Sequence, residues 1–236
     1  MADIAHDHRQ ERVVQTRAYM NAQDIAAAVS SANVARRALN AVAEQLRPGV
    51  RESALREFAK NTFAAMGLRT WHAPYIRFAE HTLLIFSDKT QEDFTLKDDD
   101  IAFIDFGIVH NGVEGDIGQT YVLGENPTYR HLKNAAMNIF KGAEEYWDRT
   151  QCNGIEIYHH IISIAERMDV RFNLDPAGHL IGAFPHRGWK EGLNNFPEAV
   201  VPGTWILEIQ VRHPTLPFGA FYEDLLLKNY VKEVDI

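Results

Sequence analysis

Acidic side chains interrupt apolar runs at several places in this chain, and such interruptions are expensive unless something charged repays them. Asp105 sits inside Ile101-Ala102-Phe103-Ile104-Asp105-Phe106-Gly107-Ile108-Val109. Glu208 breaks Trp205-Ile206-Leu207-Glu208-Ile209, and Glu223 precedes Asp224-Leu225-Leu226-Leu227. A carboxylate placed where a strand should be apolar costs several kcal/mol unless a cation or strong donors compensate. Asp116 follows Asp105 by eleven positions, across the turn formers His110-Asn111-Gly112 and Glu114-Gly115. The two aspartates can therefore stand side by side on neighbouring strands of a hairpin. His179 lies in Gly178-His179-Leu180-Ile181-Gly182, where flanking glycines let backbone or ligand approach closely. His186 follows seven positions later, in Phe184-Pro185-His186-Arg187-Gly188.

One shared cation site accounts for all these intrusions. Four carboxylates balance two divalent cations, and hard oxygen donors with one imidazole suit manganese, cobalt, iron or zinc. Such a pair acidifies water toward neutral pH and clamps the oxygens of a tetrahedral intermediate. Metal-dependent hydrolysis is the chemistry that this residue set points to.

The elements that must carry these residues follow from periodicity and punctuation. Helical spacing runs through Gln23–Leu46 and stops at Arg47-Pro48-Gly49; a second helix is expected over Glu52–Met66. Aromatic and β-branched residues predict strands at Tyr75–Phe86, Ile101–Val109 and Gln119–Leu123. Helices are expected again at Pro127–Trp147 and Ile155–Met168, then strands at Thr204–Val211 and Phe221–Tyr230. The order helix, helix, strands thus occurs twice, which implies an internal duplication with the site between the halves. The fold class is α+β, with helices on one face of a largely antiparallel sheet. Residues 1–22 read as a polar lead-in and residues 23–236 as a single catalytic domain.

Composition narrows the partners. Hydrophobic residues make up 46% and charged residues 24% of the 236, the balance of a globular protein with a full core. The formal net charge of -8 argues against nucleic acid, whose phosphates need Lys/Arg clusters. No apolar run reaches the ~18 residues of a membrane span. A single cysteine, Cys152, excludes an internal disulfide and fits a reducing compartment. The expected location is cytoplasmic.

Asp105, Asp116, the Gly178-His179 pair, Glu208 and Glu223, in that order and with turns at Pro48-Gly49-Val50 and Pro202-Gly203, resemble the methionine aminopeptidase / aminopeptidase P / creatinase superfamily. The resemblance covers nearly the whole chain from Gln23. It implies a pita-bread fold, with pseudo-duplicated αα-β halves around a curved, largely antiparallel sheet. It also implies two divalent ions per chain and a small peptide or small-molecule amide as substrate. By the same resemblance Asp105 chelates one metal, Asp116 and Glu223 bridge both, and His179 and Glu208 hold the other. Glu208 serves as general base, and His186 hydrogen-bonds the scissile carbonyl. The oligomeric state, a homodimer included, is left open.

The chain departs from that pattern in its substrate frame. The family carries a substrate-positioning histidine about seventeen or eighteen positions before the first aspartate; counting back from Asp105 lands on Ser87 or Asp88. The candidate for that substrate-binding role is His81, 24 positions upstream. Phe221 stands where proline-directed relatives have arginine, Ile209 where they have proline, and Gln119 where an arginine is common, while Thr120 is kept. Arg77, Trp189, Lys190, Arg212 and His213 are candidates to line an altered pocket. These departures keep open a non-peptide amide or specialised metabolite as substrate, with a non-catalytic binding scaffold as the third reading.

Overall fold

The computed structural model describes residues 22–173, 177–185 and 191–227. Four helices lie over one eight-stranded sheet in the repeated order that the sequence implies. The first half comprises α1 (Ala22–Ala43), α2 (Glu52–Ala65), β1 (Arg69–Thr70), β2 (Tyr75–Phe78), β3 (Asp100–His110) and β4 (Val113–Leu123). The second comprises α3 (Pro127–Thr150), α4 (Gly154–Arg167), β5 (Arg171–Phe172), β6 (Gly178–Leu180), β7 (Trp205–Arg212) and β8 (Gly219–Leu225). All the pairings are antiparallel, in the order β1-β3-β4-β8-β7-β5, with β2 also on β3 and β6 also on β7. That order is a mirror: each half contributes the same strand pattern, and the halves meet where β4 pairs with β8. No helix among the described residues is long and apolar enough to cross a membrane.

Strand alternation sorts side chains between two faces. On β3, Ala102, Ile104, Phe106 and Ile108 share one core with Leu39, Leu55 and Phe63 of α1 and α2. On β7, Leu207, Ile209 and Val211 share a second core with Leu132, Ile139 and Trp147 of α3 and Ile157 and Ile161 of α4. Burying each of these large side chains stabilises by roughly 1.5–3 kcal/mol. The helices therefore hold one face of the sheet and leave Asp105 and Glu208 on the other. Caps set the helix starts: the Asn126 side chain accepts from Thr128 N–H ahead of Pro127, and Asn153 with Glu156 forms a capping box.

The predicted strand over Tyr75–Phe86 is shorter than expected. It ends at Phe78, and Ala79–Leu83 forms a 3₁₀ turn. The cause is Glu52, fully buried at the start of α2, whose Oε1 accepts from the Phe78 N–H at 2.7 Å and meets His81 Nδ1 at 2.9 Å. Removing one member of such a buried charged set costs about 3–5 kcal/mol. Glu52→Ala is expected to lower unfolding free energy by about 3 kcal/mol in urea titration while metal uptake is unchanged, because Glu52 serves the scaffold.

Candidate metal centre

The register brings the acids together. Asp105 on β3 pairs with Gly118 on β4, Gly118 with Glu223 on β8, and Glu223 with Glu208 on β7. The three carboxylates thus lie in one row across four adjacent strands, on the same face. Gly118 leaves the row open at its middle: a Cβ there would meet the Phe221 ring at 2.3 Å and Asp105 Cβ at 3.2 Å. Asp116, two residues along β4, joins them on that face. Thr120 locks the seam between the halves, its hydroxyl donating to the Phe221 carbonyl at 2.9 Å and accepting the Phe221 N–H at 2.7 Å.

His179 reaches the row from β6. Gly178 makes that approach: with φ +137° it has no Cβ to collide with the Ile206 carbonyl, which would lie 2.1 Å away. The other flanking glycine, Gly182, has open space where a Cβ would be, so only Gly178 has the close-approach role. A second imidazole, which the sequence reading missed, arrives from the opposite side. His72, in the loop between β1 and β2, places Nε2 3.3 Å from Asp116 Oδ1 and 3.9 Å from Asp105 Oδ1. His179 Nε2 lies 3.2 Å from the other oxygen of Asp116 and 3.6 Å from Glu208 Oε1. Nothing periodic marks His72. The usable signal is Trp71-His72 lying just before a strand whose partner carries Asp105 and Gly107.

His81, expected to meet substrate, is not brought to this group. It is buried, stacked on Phe94 with ring centroids 3.8 Å apart, and its nitrogens face Glu52, Thr90 and Glu92. In this position His81 ties the 3₁₀ turn to Glu52. His186 lies outside the described residues, as do Trp189 and Lys190. Arg77 is buried and lines a pocket with Tyr75, Leu84, Ile85, Phe86, Phe103, Asp105, Glu208 and Phe221. His213 caps a turn instead, its Nδ1 accepting from the N–H groups of Thr215 and Leu216.

The electrostatics are those of a crowded anion cluster. Burial raises the Glu223 carboxyl well above its usual range, and the charges of Asp116, Asp105 and Glu208 push it further. Burial also raises Asp105 to about 7, against the opposing charge of His72. Glu208 is raised by burial as well, with His179 opposing. At Asp116 burial is outweighed by hydrogen bonds from His179 and His72, which hold the carboxyl at about 2. The same bonds outweigh burial at both imidazoles and raise each to about 9.

These residues fit divalent cations. Glu223 Oε2 is buried and has no hydrogen-bond partner among the described residues. A buried, unpaired carboxylate oxygen costs free energy that a cation recovers. Among the described residues two overlapping ligand groups occur, His72-Asp105-Asp116 and Asp116-His179-Glu223, each with its donor atoms within 4.8 Å of one another. Asp116 belongs to both and presents one oxygen to each side, as a bridging ligand must.

A family model described as metallopeptidase family M24 matches residues 27–227. Prolidase from Pyrococcus furiosus superposes with a TM-score of 0.74 at 18% identity, over 93% of this chain and 65% of that one. A histidine-to-alanine variant of Escherichia coli aminopeptidase P gives 0.74 at 17% identity, over 92% and 56%. Methionine aminopeptidase from Rickettsia prowazekii gives 0.68 at 15% identity, over 87% and 91%. This chain therefore spans less than two thirds of the prolidase but nearly all of the methionine aminopeptidase. No curated protein matches the sequence. The shared architecture is the pita-bread fold.

Proposed function

We propose, from the premise that this chain belongs to metallopeptidase family M24, a family of metal-dependent hydrolases, that it cleaves an amino-terminal peptide bond using two divalent cations. The observation that carries the reading is Asp116: each of its oxygens faces an imidazole, and Asp105, Glu208 and Glu223 close around it. Asp105 would hold one cation, His179 and Glu208 the other, with Asp116 and Glu223 shared. When bound, such cations lower the pKa of water and offset the negative charge that builds on a scissile carbonyl. Glu208, at the pocket edge and with its carboxyl raised by burial, takes the proton of the attacking water and returns it to the leaving amine. His186 donates to the carbonyl oxygen as negative charge develops there. His186→Ala is then expected to cut kcat by roughly 10²–10³ with metal content unchanged, read by steady-state kinetics beside elemental analysis.

The pocket favours a particular kind of substrate. Leu84, Ile85, Phe86, Phe103 and Phe221 supply an apolar wall beside Asp105 and Glu208, and Arg77 contributes a cationic side chain. That wall supports a bulky apolar group next to the scissile bond. It suits a peptide with an apolar first residue and equally an apolar non-peptide amide, the second reading. Metal-free protein titrated with Mn²⁺ or Co²⁺, then assayed on short peptides and N-acyl amides, tests both. Uptake of two cations with release of a single amino-terminal residue is expected. Turnover of amides alone would select the second reading, and fully loaded protein inert on both panels would end the hydrolase proposal.

A further inference from the structure

We propose that His72 is a ligand of the cation held by Asp105, so that each of the two cations carries one imidazole. This rests on the two-metal reading above and adds a sixth side chain to the five carried over from the sequence. The first argument is geometric. Metal–nitrogen and metal–oxygen bonds of about 2.0–2.2 Å place neighbouring ligand atoms roughly 2.8–3.6 Å apart around an octahedral or tetrahedral ion. His72 Nε2 stands 3.3 Å from Asp116 Oδ1, within such a shell, and 3.9 Å from Asp105 Oδ1, a few tenths of an ångström beyond it.

The second argument is the tautomer. His72 Nδ1 lies 2.9 Å from the Ala73 carbonyl, which can only accept, so Nδ1 carries the proton. In the neutral ring Nε2 then presents a lone pair to two carboxylates, which have no proton to give when ionised. These three acceptors need a positive centre between them: a proton in the metal-free protein, a cation when metal binds. His179 is built the same way: its Nδ1 lies 2.9 Å from the Leu180 carbonyl, and its Nε2 faces the other Asp116 oxygen. A backbone carbonyl that fixes the distal ring nitrogen is the usual support of a metal-bound histidine. The two imidazoles thus grip one bridging carboxylate from opposite sides.

The third argument is the seat. The Trp71 N–H donates to the Gly107 carbonyl at 3.1 Å, which pins the loop to β3 midway between Asp105 and Val109. A Cβ at position 107 would lie 2.0 Å from the Trp71 indole nitrogen and 2.7 Å from the His72 ring. Gly107 therefore clears the space that the indole and imidazole occupy. The Tyr75 ring stacks on the outer face of His72, with centroids 5.4 Å apart. A second imidazole softens the ligand set, which favours cobalt, iron or zinc over manganese more than a single-histidine site does.

The test uses full-length metal-free protein loaded with Co²⁺. Proton NMR of a cobalt protein shifts the ring N–H of each bound histidine far outside the normal range, one exchangeable signal per histidine. Two such signals are expected in the wild type and one in His72→Gln, a variant that keeps size and polarity. Calorimetric titration should show one Co²⁺ site weakened by at least 10-fold in His72→Gln, matching Asp105→Asn and leaving the His179 site intact. A single shifted signal in the wild type, or two unaltered affinities in His72→Gln, overturns the proposal even if turnover falls. Failure of the wild type to bind Co²⁺ at all would instead remove the two-metal reading beneath it.

Discussion

Glu208→Gln is expected to lose about 10²–10⁴ in kcat under saturating metal, the span of a positioned general base. The substitution keeps shape and one acceptor oxygen but removes the site that accepts a proton. Glu208 is suited to that task because it ends the carboxylate row and lines the pocket. Its neighbours Asp116 and Glu223 are more deeply buried and lie inside the ligand cluster. Burial raises its carboxyl, which moves a weak base toward the pH at which it must work. Since Glu208 also stands 3.6 Å from His179, the variant should bind the second cation more weakly. The comparison is therefore made at several Co²⁺ concentrations, with occupancy measured. A kcat within tenfold of wild type at full occupancy would assign the base to another group.

Much of this site could be read from the chain because charge in an apolar strand is conspicuous. Asp105, Glu208 and Glu223 each break a run that the sheet would otherwise bury, and the hairpin turn at Asn111-Gly112 predicts that Asp116 returns beside Asp105. The pairing of Gly107 with Asp116 and of Asp105 with Gly118 puts the two aspartates diagonally across that hairpin, on one face. The repeated helix-helix-strand order also foretells the mirrored sheet. What stayed hidden depends on chain segments without periodicity. His72 reaches the cluster through a loop pinned over Gly107, more than thirty residues away in sequence, and no local pattern encodes that contact. His81 is nearer to Asp105 in sequence, yet a buried glutamate 29 positions before it governs its place. Both cases share a cause: a single long-range hydrogen bond decides where a loop histidine points, whereas alternation decides where a strand carboxylate points.

Metal-free protein is expected to lose thermal stability as pH rises from about 5 to 9, and added Co²⁺ to restore more of it at the alkaline end. His72 and His179 are raised from 6.5 to about 9 in the folded state. Their contribution is complete below 6.5 and disappears as pH climbs through 9. Asp105, raised to about 7, acts with the same sign: folding favours its protonated form, so its contribution fades between 3.8 and 7. Glu208 and Glu223 are raised as well and add to this trend. Asp116 has the opposite sign, but at about 2 its stabilisation is lost only in strong acid and stays constant over this range. Cations compete with the protons that these groups hold, so binding tightens as pH rises. At a metal concentration 100 times Kd the gain is about 2.7 kcal/mol, roughly 5–10 °C in Tm for a domain of this size. Differential scanning fluorimetry at pH 5.5, 7.0 and 8.5, with and without Co²⁺, reads both trends. A metal-free Tm that climbs with pH, or a Co²⁺ shift that is the same at all three values, would mean that the carboxylates and imidazoles are not sharing protons that a cation displaces.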